Sequence, residues 1–187
     1  MKTVATTLEK FQYFYPYTVA LVGAKTAKHT NFMACAWHTA LSFDPPLFGV
    51  LVAKKRLTHQ VITQAGEFSV NFLPWDDIQL SAQMGRISGH DRDKIQDFQV
   101  KLAPSRVIHS PVLETAYAAM ECQLKETRSF GDHDLFVGEV VAVHQEEGSF
   151  DDAGVLNPAR VKPLLYLGGD FYTTTVEDPP VQQLPED

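Results

Sequence analysis

The feature that most constrains this sequence is an unbroken apolar run at residues 47–53, which a double proline precedes and three cations follow. A strand cannot cross Asp44-Pro45-Pro46, because proline has no amide hydrogen to give to a sheet ladder. A strand that is apolar at every position is covered on both faces. Residues 47–53 are therefore predicted to form an interior strand.

The rest of the chain is rich in strand signals and poor in helix signals. Further strands are predicted at residues 17–24, 32–43, 67–73, 117–127 and 134–145, and short helices at residues 58–65 and 76–84. Thr58 is expected to be the N-cap of the first helix, with Gly66 just past its end. Because strands and helices do not alternate, the pattern favours a mainly β fold, a closed antiparallel barrel, over a parallel α/β sheet.

Length and charge narrow the class of protein. The 187 residues suit a single domain, predicted here at residues 1–175, and an acidic, proline-rich tail at 176–187 is expected to be mobile or to lie on a partner. A net charge of −7 disfavours binding to nucleic acid or to an anionic membrane. The apolar run at 47–53 is far shorter than the roughly 20 residues of a membrane span. Charged residues near the N-terminus do not resemble a signal peptide. We therefore expect a cytoplasmic protein.

The cations after the interior strand are the first candidate for chemistry. Lys54-Lys55-Arg56 comes directly before the predicted helix at Thr58. A helix N-terminus offers free N–H groups and a positive dipole, so cations beside it are typical of a phosphate site. For this motif alone, a solvated turn with an ordinary N-cap is the alternative. Arg92 and Lys94 form a second basic pair, which by itself is typical of a charged surface.

Other polar and aromatic residues permit two interpretations each. Asn31 either anchors a turn or hydrogen-bonds a ligand, and Trp37 either belongs to the core or stacks on a planar ligand. The segment 131–134 (GDHD) is predicted to be a hairpin turn. The alternatives there are a metal site, which lacks a second ligand cluster, and a role for His133 at a barrel rim. Cys35 and Cys122 are expected to be buried and inert, and neither a disulfide framework nor a zinc cluster is predicted.

Several segments together carry a family resemblance. They are residues 31–47 (NFMACAWHTALSFDPPL), 54–62 (KKRLTHQVI), 66–73 (GEFSVNFL), 88–95 (SGHDRDKI), 110–124 (SPVLETAYAAMECQL), 131–141 (GDHDLFVGEVV) and 163–169 (PLLYLGG). In this order, over about residues 20–170, the sequence resembles the flavin reductase-like family of FMN-binding split barrels. Within that family it is most similar to flavoredoxin and the archaeal ferric reductase.

The resemblance implies a Greek-key antiparallel split β-barrel with short flanking helices. It further implies a homodimer with one non-covalent FMN per subunit near the interface, and no metal. Arg56, Thr58 and Lys94 correspond to positions for the flavin phosphate and its surroundings, with Lys54 as a further cation. The full set of implied flavin contacts is Asn31, Trp37, Ser42, Lys54, Arg56, Thr58, Lys94, His133 and Tyr166.

The function implied by the resemblance is NAD(P)H-dependent reduction of FMN, with His133 and Tyr166 near the flavin face. Electrons would pass to free flavin, a ferric chelate or a partner protein. The alternative is a flavoredoxin-like electron carrier that holds FMN tightly and does not itself use NAD(P)H. A barrel that has lost flavin is a third hypothesis, which the retained set of contacts opposes. The sequence departs from relatives at residues 25–30, which lack a common glycine, and at His38, where a different aromatic is usual. Both departures are expected to affect the substrate side of the pocket.

Overall fold

The structure is a computed structural model, described here for residues 2–7 and 13–176. The strands are β1 (Tyr17–Thr18), β2 (Ala20–Lys25), β3 (Thr30–Cys35), β4 (His38–Phe43), β5 (Pro46–Ala53), β6 (Glu67–Phe72), β7 (Leu102–Ala103), β8 (Val112–Leu113), β9 (Ala118–Phe130), β10 (His133–Gln145), β11 (Leu165–Gly168) and β12 (Phe171–Thr173). The helices are α1 (Leu57–Ala65), α2 (Ile78–Arg86), which a 3-10 turn at Trp75–Asp77 precedes, and α3 (Lys94–Asp97). The predicted tail lies outside the described residues except for Val176.

One antiparallel sheet dominates the fold. Seven strands follow the order β3-β2-β6-β9-β10-β5-β4. The hairpin of β9 and β10 joins its two halves and has two register shifts, which let long strands bend around a core. A smaller sheet, β1-β11-β12, pairs the start of the described fold with its end, through Tyr17 and Tyr166. The predicted mainly β, antiparallel fold is confirmed.

The interior strand lies where the sequence predicts it. β5 pairs with β10 on one side and β4 on the other. Val50 and Val52 are fully buried in the main core together with Phe68 and Phe136. Leu51 is only partly buried, because alternate residues of a strand point to opposite faces. One face of β5 therefore packs in the core and the other is partly open, so the expectation that both faces are covered is wrong.

Two local predictions were wrong. Residues 32–43 are not one strand: Ala36 and Trp37 lie outside the ladder, between β3 and β4. Thr58 is not the N-cap, because α1 begins at Leu57 and Arg56 has the extended backbone of the capping position (φ −82°, ψ 139°). Thr58 lies inside the first turn and is fully buried. The predicted end of α1 is confirmed, since Gly66 adopts the left-handed conformation there (φ 68°).

Two carboxylates, one fully buried and one partly buried, hold the loop at residues 105–110. Glu121 of β9 is fully buried and accepts hydrogen bonds from the amides of the loop and from His144. Glu67 of β6 accepts hydrogen bonds from the amides of His109 and Ser110, at 2.8 and 2.7 Å. Main-chain groups that no strand pairs are thereby satisfied.

Within the described ranges, no helix is long and apolar enough to cross a membrane.

Candidate functional site

A groove opens where the chain leaves the sheet between β3 and β4. Its floor is Ala34, Cys35 and Ala36, whose small side chains leave space above the main chain. Two adjoining cavities of about 440 and 160 Å³ share this floor and the side chain of Arg56. We call the two cavities together the groove. A floor of small residues suits a planar ligand that contacts the main chain.

Aromatic rings close one end of the groove. The rings of Trp37 and His133 lie 4.9 Å apart at a tilt of 38°. His133 Nδ1 lies 2.8 Å from the carboxylate of Asp132, and this hydrogen bond holds the pKa of Asp132 below its ordinary value. The main-chain oxygen of Trp37 accepts a hydrogen bond of 2.9 Å from the Leu51 amide. Trp37 is thereby fixed to the groove face of β5.

Tyrosines form the opposite wall. Tyr166 of β11 and Tyr172 of β12 line the larger cavity, and their rings lie 5.2 Å apart. Tyr15 packs edge-on against Tyr166, also at 5.2 Å, and its hydroxyl oxygen accepts a hydrogen bond from the Trp37 side chain. Burial raises the pKa of both Tyr15 and Tyr172. At neutral pH the hydroxyls of Tyr15 and Tyr172 therefore stay un-ionised, and both side chains are uncharged aromatic rings.

The start of α1 forms the polar end of the site. Arg56 is half-buried, and the first-turn amides of α1 lie directly after it. Asn31 Nδ2 donates a hydrogen bond of 2.7 Å to Thr58 Oγ1, and both side chains are buried. Gly89 lies against this pair so closely that a Cβ there would be 2.3 Å from Asn31 Oδ1. Asn31 and Thr58 thus position the start of α1 from behind.

Lys94 approaches the same place from α3. Its Nζ donates hydrogen bonds to the carbonyl oxygens of Phe32, at 2.6 Å, and Met84, at 3.1 Å. Burial, with the nearby charge of Arg56, lowers the pKa of Lys94 to about 8. An ammonium group has three donors, and these two bonds leave one for a ligand. Lys94 therefore ties β3 to α2 and adds positive charge beside Arg56.

The structure brings most of the sequence-predicted site residues together. Trp37, Arg56, His133 and Tyr166 line the groove, whereas Asn31 and Lys94 line a neighbouring cavity of about 300 Å³ beside α1. Thr58 supports α1 from inside, through Asn31.

Two predicted contacts lie apart from that cluster. Lys54 Nζ donates to the Gly131 oxygen at 3.0 Å and lies 3.5 Å from Asp134, so its charge serves the β9–β10 hairpin. Ser42 pairs with Leu47, near the turn at the far end of β4, and does not line the groove.

The two departures from relatives have different outcomes. His38 is buried, stacks on Phe48 at 5.6 Å and places Nε2 3.0 Å from the Thr18 oxygen. His38 does not line the groove, and its expected effect on the substrate side stays a prediction. The turn after β2, in contrast, contributes Lys28 and His29 to the 300 Å³ cavity.

Sequence reasoning missed several groove residues. Arg86 ends α2 and Asp170 lies in the β11–β12 turn, and their side chains form an ion pair of 3.2 Å at the groove. Sequence reasoning also missed Tyr172, which lines the larger cavity, and Tyr15, which packs against Tyr166. The residues of this ion pair are 84 positions apart, and no local pattern of charge could have paired them.

Known proteins share this architecture. A crystal structure of an FMN-binding protein from Thermus thermophilus with bound 1-cyclohex-2-enone superposes with a TM-score of 0.85 at 39% identity, over 97% of this chain and 99% of that one. The flavoredoxin of Methanosarcina acetivorans superposes with a TM-score of 0.82 at 27% identity, over 100% of this chain and 95% of that one. The predicted split-barrel fold is thereby confirmed.

Sequence comparison agrees with the structural comparison. A Pyrococcus abyssi protein is 35% identical over 144 residues, which is 77% of this chain and 83% of that protein. The profile of the flavin reductase like domain matches residues 12–175, nearly the whole described chain. With the groove, the start of α1 and the split barrel in place, this chain belongs to the flavin reductase-like family of flavin-binding proteins.

Proposed function

We propose that this protein binds FMN in the groove and uses NAD(P)H to reduce it, passing the electrons to free flavin, a ferric chelate or a partner protein. The observation that carries the proposal is the layout of the groove: a floor of small residues, Ala34–Ala36, between aromatic rings and the cationic start of α1. Among the relatives, an NADH-dependent FMN reductase of Streptomyces nodosus, 28% identical over 165 residues, supports this choice.

The residues present fit FMN. Its phosphate carries close to two negative charges, which an acidic chain of net charge −7 can hold only at a local cationic site. Arg56 and the first-turn amides of α1 would hold the phosphate, with Lys94 as the buried cation behind them. The main chain of 34–36 would contact the ring, and the rings of Trp37 and His133 would border it.

The protein's task is then to bind, orient and shield. Bound FMN would supply the redox chemistry itself, so the protein need not provide an acid–base pair. Tyr15 holds Trp37 by a hydrogen bond, and Asp132 fixes the ring of His133. These contacts fix the groove wall in place before the ligand arrives, which reduces the ordering cost of binding.

The first test is the visible absorption spectrum of the purified protein, with the filtrate analysed after denaturation. We expect a flavin band and release of FMN, or binding of added FMN by a colourless protein. Anaerobic addition of NADH and NADPH, in separate runs, should then bleach the band. A protein that fails to bind added FMN refutes the flavin site, and one that binds FMN but is bleached by neither donor refutes the reductase activity alone.

A flavoredoxin-like electron carrier is the second candidate. Its specific support is the superposition of the M. acetivorans flavoredoxin over the whole chain. A protein that binds FMN tightly, and whose FMN is reduced by dithionite but by neither NADH nor NADPH, would establish the electron-carrier function. A small cyclic enone belongs among the acceptors tested, because the T. thermophilus protein binds one.

We further propose a cytoplasmic homodimer. Leu41 and Phe43 on the edge strand β4 are 44% and 98% exposed, and Val143 on β10 is 61% exposed. Apolar side chains exposed on β4 and β10, the two strands that flank β5, suit a second copy of this chain. Light scattering after gel filtration should give twice the chain mass, and Phe43→Ser should shift it toward the monomer.

A further inference from the structure

An exposed ion pair spans the mouth of the groove. Arg86 Nε lies 3.2 Å from Asp170 Oδ2, and both side chains are more than half exposed. Arg86 ends α2, whereas Asp170 lies in the turn between the two strands that carry Tyr166 and Tyr172. The pair therefore links two separate walls of the larger cavity.

The ion pair between Arg86 and Asp170 costs little free energy to break, so Arg86 can exchange Asp170 for an anionic ligand. Exposed ion pairs contribute little free energy, because water screens them and two side chains lose freedom. Among the described residues, the guanidinium of Arg86 bonds only through Nε, and its remaining N–H donors point to no protein acceptor. A guanidinium binds phosphate through two parallel hydrogen bonds, which a single carboxylate contact does not match.

The groove also separates its two arginines by role. Arg56 lies beside the start of α1, where the proposed FMN phosphate would bind. Arg86 lies on the other wall of the larger cavity, together with the rings of Tyr166 and Tyr172. Planar rings beside an available cation suit a ligand that combines flat heterocycles with phosphate.

We propose that Arg86 recognises a phosphate group of the dinucleotide electron donor, and that Asp170 holds its guanidinium while the donor is absent. The inference rests on the proposed function, since it deepens the choice of donor. Asp170 and the donor phosphate compete for one cation, so removal of the competitor tightens binding. Removal of the cation weakens it.

The test uses two variants, each of which replaces one charged side chain of the pair by an uncharged one. Calorimetry measures the binding of NAD⁺ and NADP⁺ to the FMN-loaded protein, because these oxidised dinucleotides bind without turnover. Arg86→Gln should weaken binding about 10-fold, the loss expected for a charge-assisted hydrogen bond. Asp170→Asn should tighten it about 2- to 3-fold. Asparagine tolerates the left-handed backbone of this position (φ 65°), so the turn is preserved. Arg106→Gln, on an exposed residue outside the groove, is the matched control and should change nothing.

Weaker binding in Arg86→Gln together with tighter binding in Asp170→Asn indicates that Arg86 recognises the dinucleotide. If the ion pair only held the two walls together, both variants would bind the dinucleotide more weakly. Equal effects on NAD⁺ and NADP⁺ assign the contact to the diphosphate, and effects on NADP⁺ alone assign it to the 2′-phosphate. Shifts in the same direction, or no shift, overturn the inference while FMN binding and donor oxidation survive. A wild-type protein that holds FMN but neither binds NAD(P)⁺ nor oxidises NAD(P)H overturns the proposed donor and the inference with it.

Discussion

Replacement of Glu121 by glutamine tests how the buried carboxylate holds the neighbouring loop. The carboxylate accepts hydrogen bonds of 2.6, 2.7 and 3.0 Å from the amides of Arg106, Val107 and Ile108. Desolvation on burial raises the pKa of Glu121, but the hydrogen bonds from the Arg106 amide, from His144 and from the other two amides outweigh it. The pKa of Glu121 falls to about 2.

The size and pH range of the effect follow from that pKa. A carboxyl at about 2 in the folded state and 4.5 in the unfolded state contributes about 3 kcal/mol to the free energy of unfolding at neutral pH. A depressed acidic pKa stabilises above the unfolded value and loses that effect as the pH falls toward the folded value. Glutamine retains one acceptor and adds a donor that faces amide N–H groups, so we expect a loss of about 2 to 3 kcal/mol at pH 7.

Urea unfolding of wild type and Glu121→Gln at pH 7, 5 and 3 measures the difference. The difference in free energy of unfolding between the two proteins should decrease by at least about 1 kcal/mol from pH 7 to pH 3. The reason is that the ionised Glu121 carboxylate contributes less to wild-type stability as the pH falls through that range. Glu147→Gln, at an exposed position, should remain within about 0.5 kcal/mol of wild type throughout. A gap independent of pH, or a gap below about 0.5 kcal/mol at pH 7, would refute the reasoning.

Three further predictions concern the site. Gly89→Ala would place a Cβ 2.3 Å from Asn31 Oδ1, so FMN affinity in a fluorescence titration should fall about 10-fold, and unchanged affinity would contradict the supporting role of Asn31. Because the pKa of Lys94 is about 8, its charge is lost as the pH rises through that value, and FMN affinity should decline between pH 7 and 9. Lys94→Met should bind more weakly at pH 7 and lack that decline; a parallel pH profile would exclude Lys94 as its source. Since burial raises the pKa of Cys35 to about 11 and of Cys122 to about 12, iodoacetamide at pH 8 should alkylate neither in the native protein and both in urea, as read by mass spectrometry.

Local patterns predicted much of the fold. The turn at Asp44-Pro45, with Pro46 as the first residue of β5, depends on residues adjacent in sequence, and so does the Gly131-Asp132 turn after β9. Both hairpins lie where the sequence predicts them. The end of α1 is equally local, because Gly66 adopts the left-handed conformation at low cost. The cations at 54–56 are also a local pattern, and Arg56, one of the three, lines the groove.

Long-range contacts decided the rest. Thr58 was expected to cap a helix, but its partner is Asn31, 27 residues earlier, and the backbone conformation of Arg56 fixes where α1 starts. The two residues between β3 and β4, Ala36 and Trp37, are neither glycine nor proline. No local sequence signal therefore predicts that the chain leaves the sheet at Ala36. Arg86 and Asp170 meet only because the β11–β12 hairpin folds back toward α2.

The pairing of β1 with β11 has a consequence for how the protein is made. One wall of the groove comes from the first hundred residues, and the tyrosine wall comes from the strands at Leu165–Gly168 and Phe171–Thr173. On the ribosome, the floor at Ala34–Ala36 emerges long before Tyr166, and a contact between such distant segments forms slowly. The groove is complete only after these two strands have been synthesised and paired, so a ligand of the groove would bind the folded barrel and not its nascent first half.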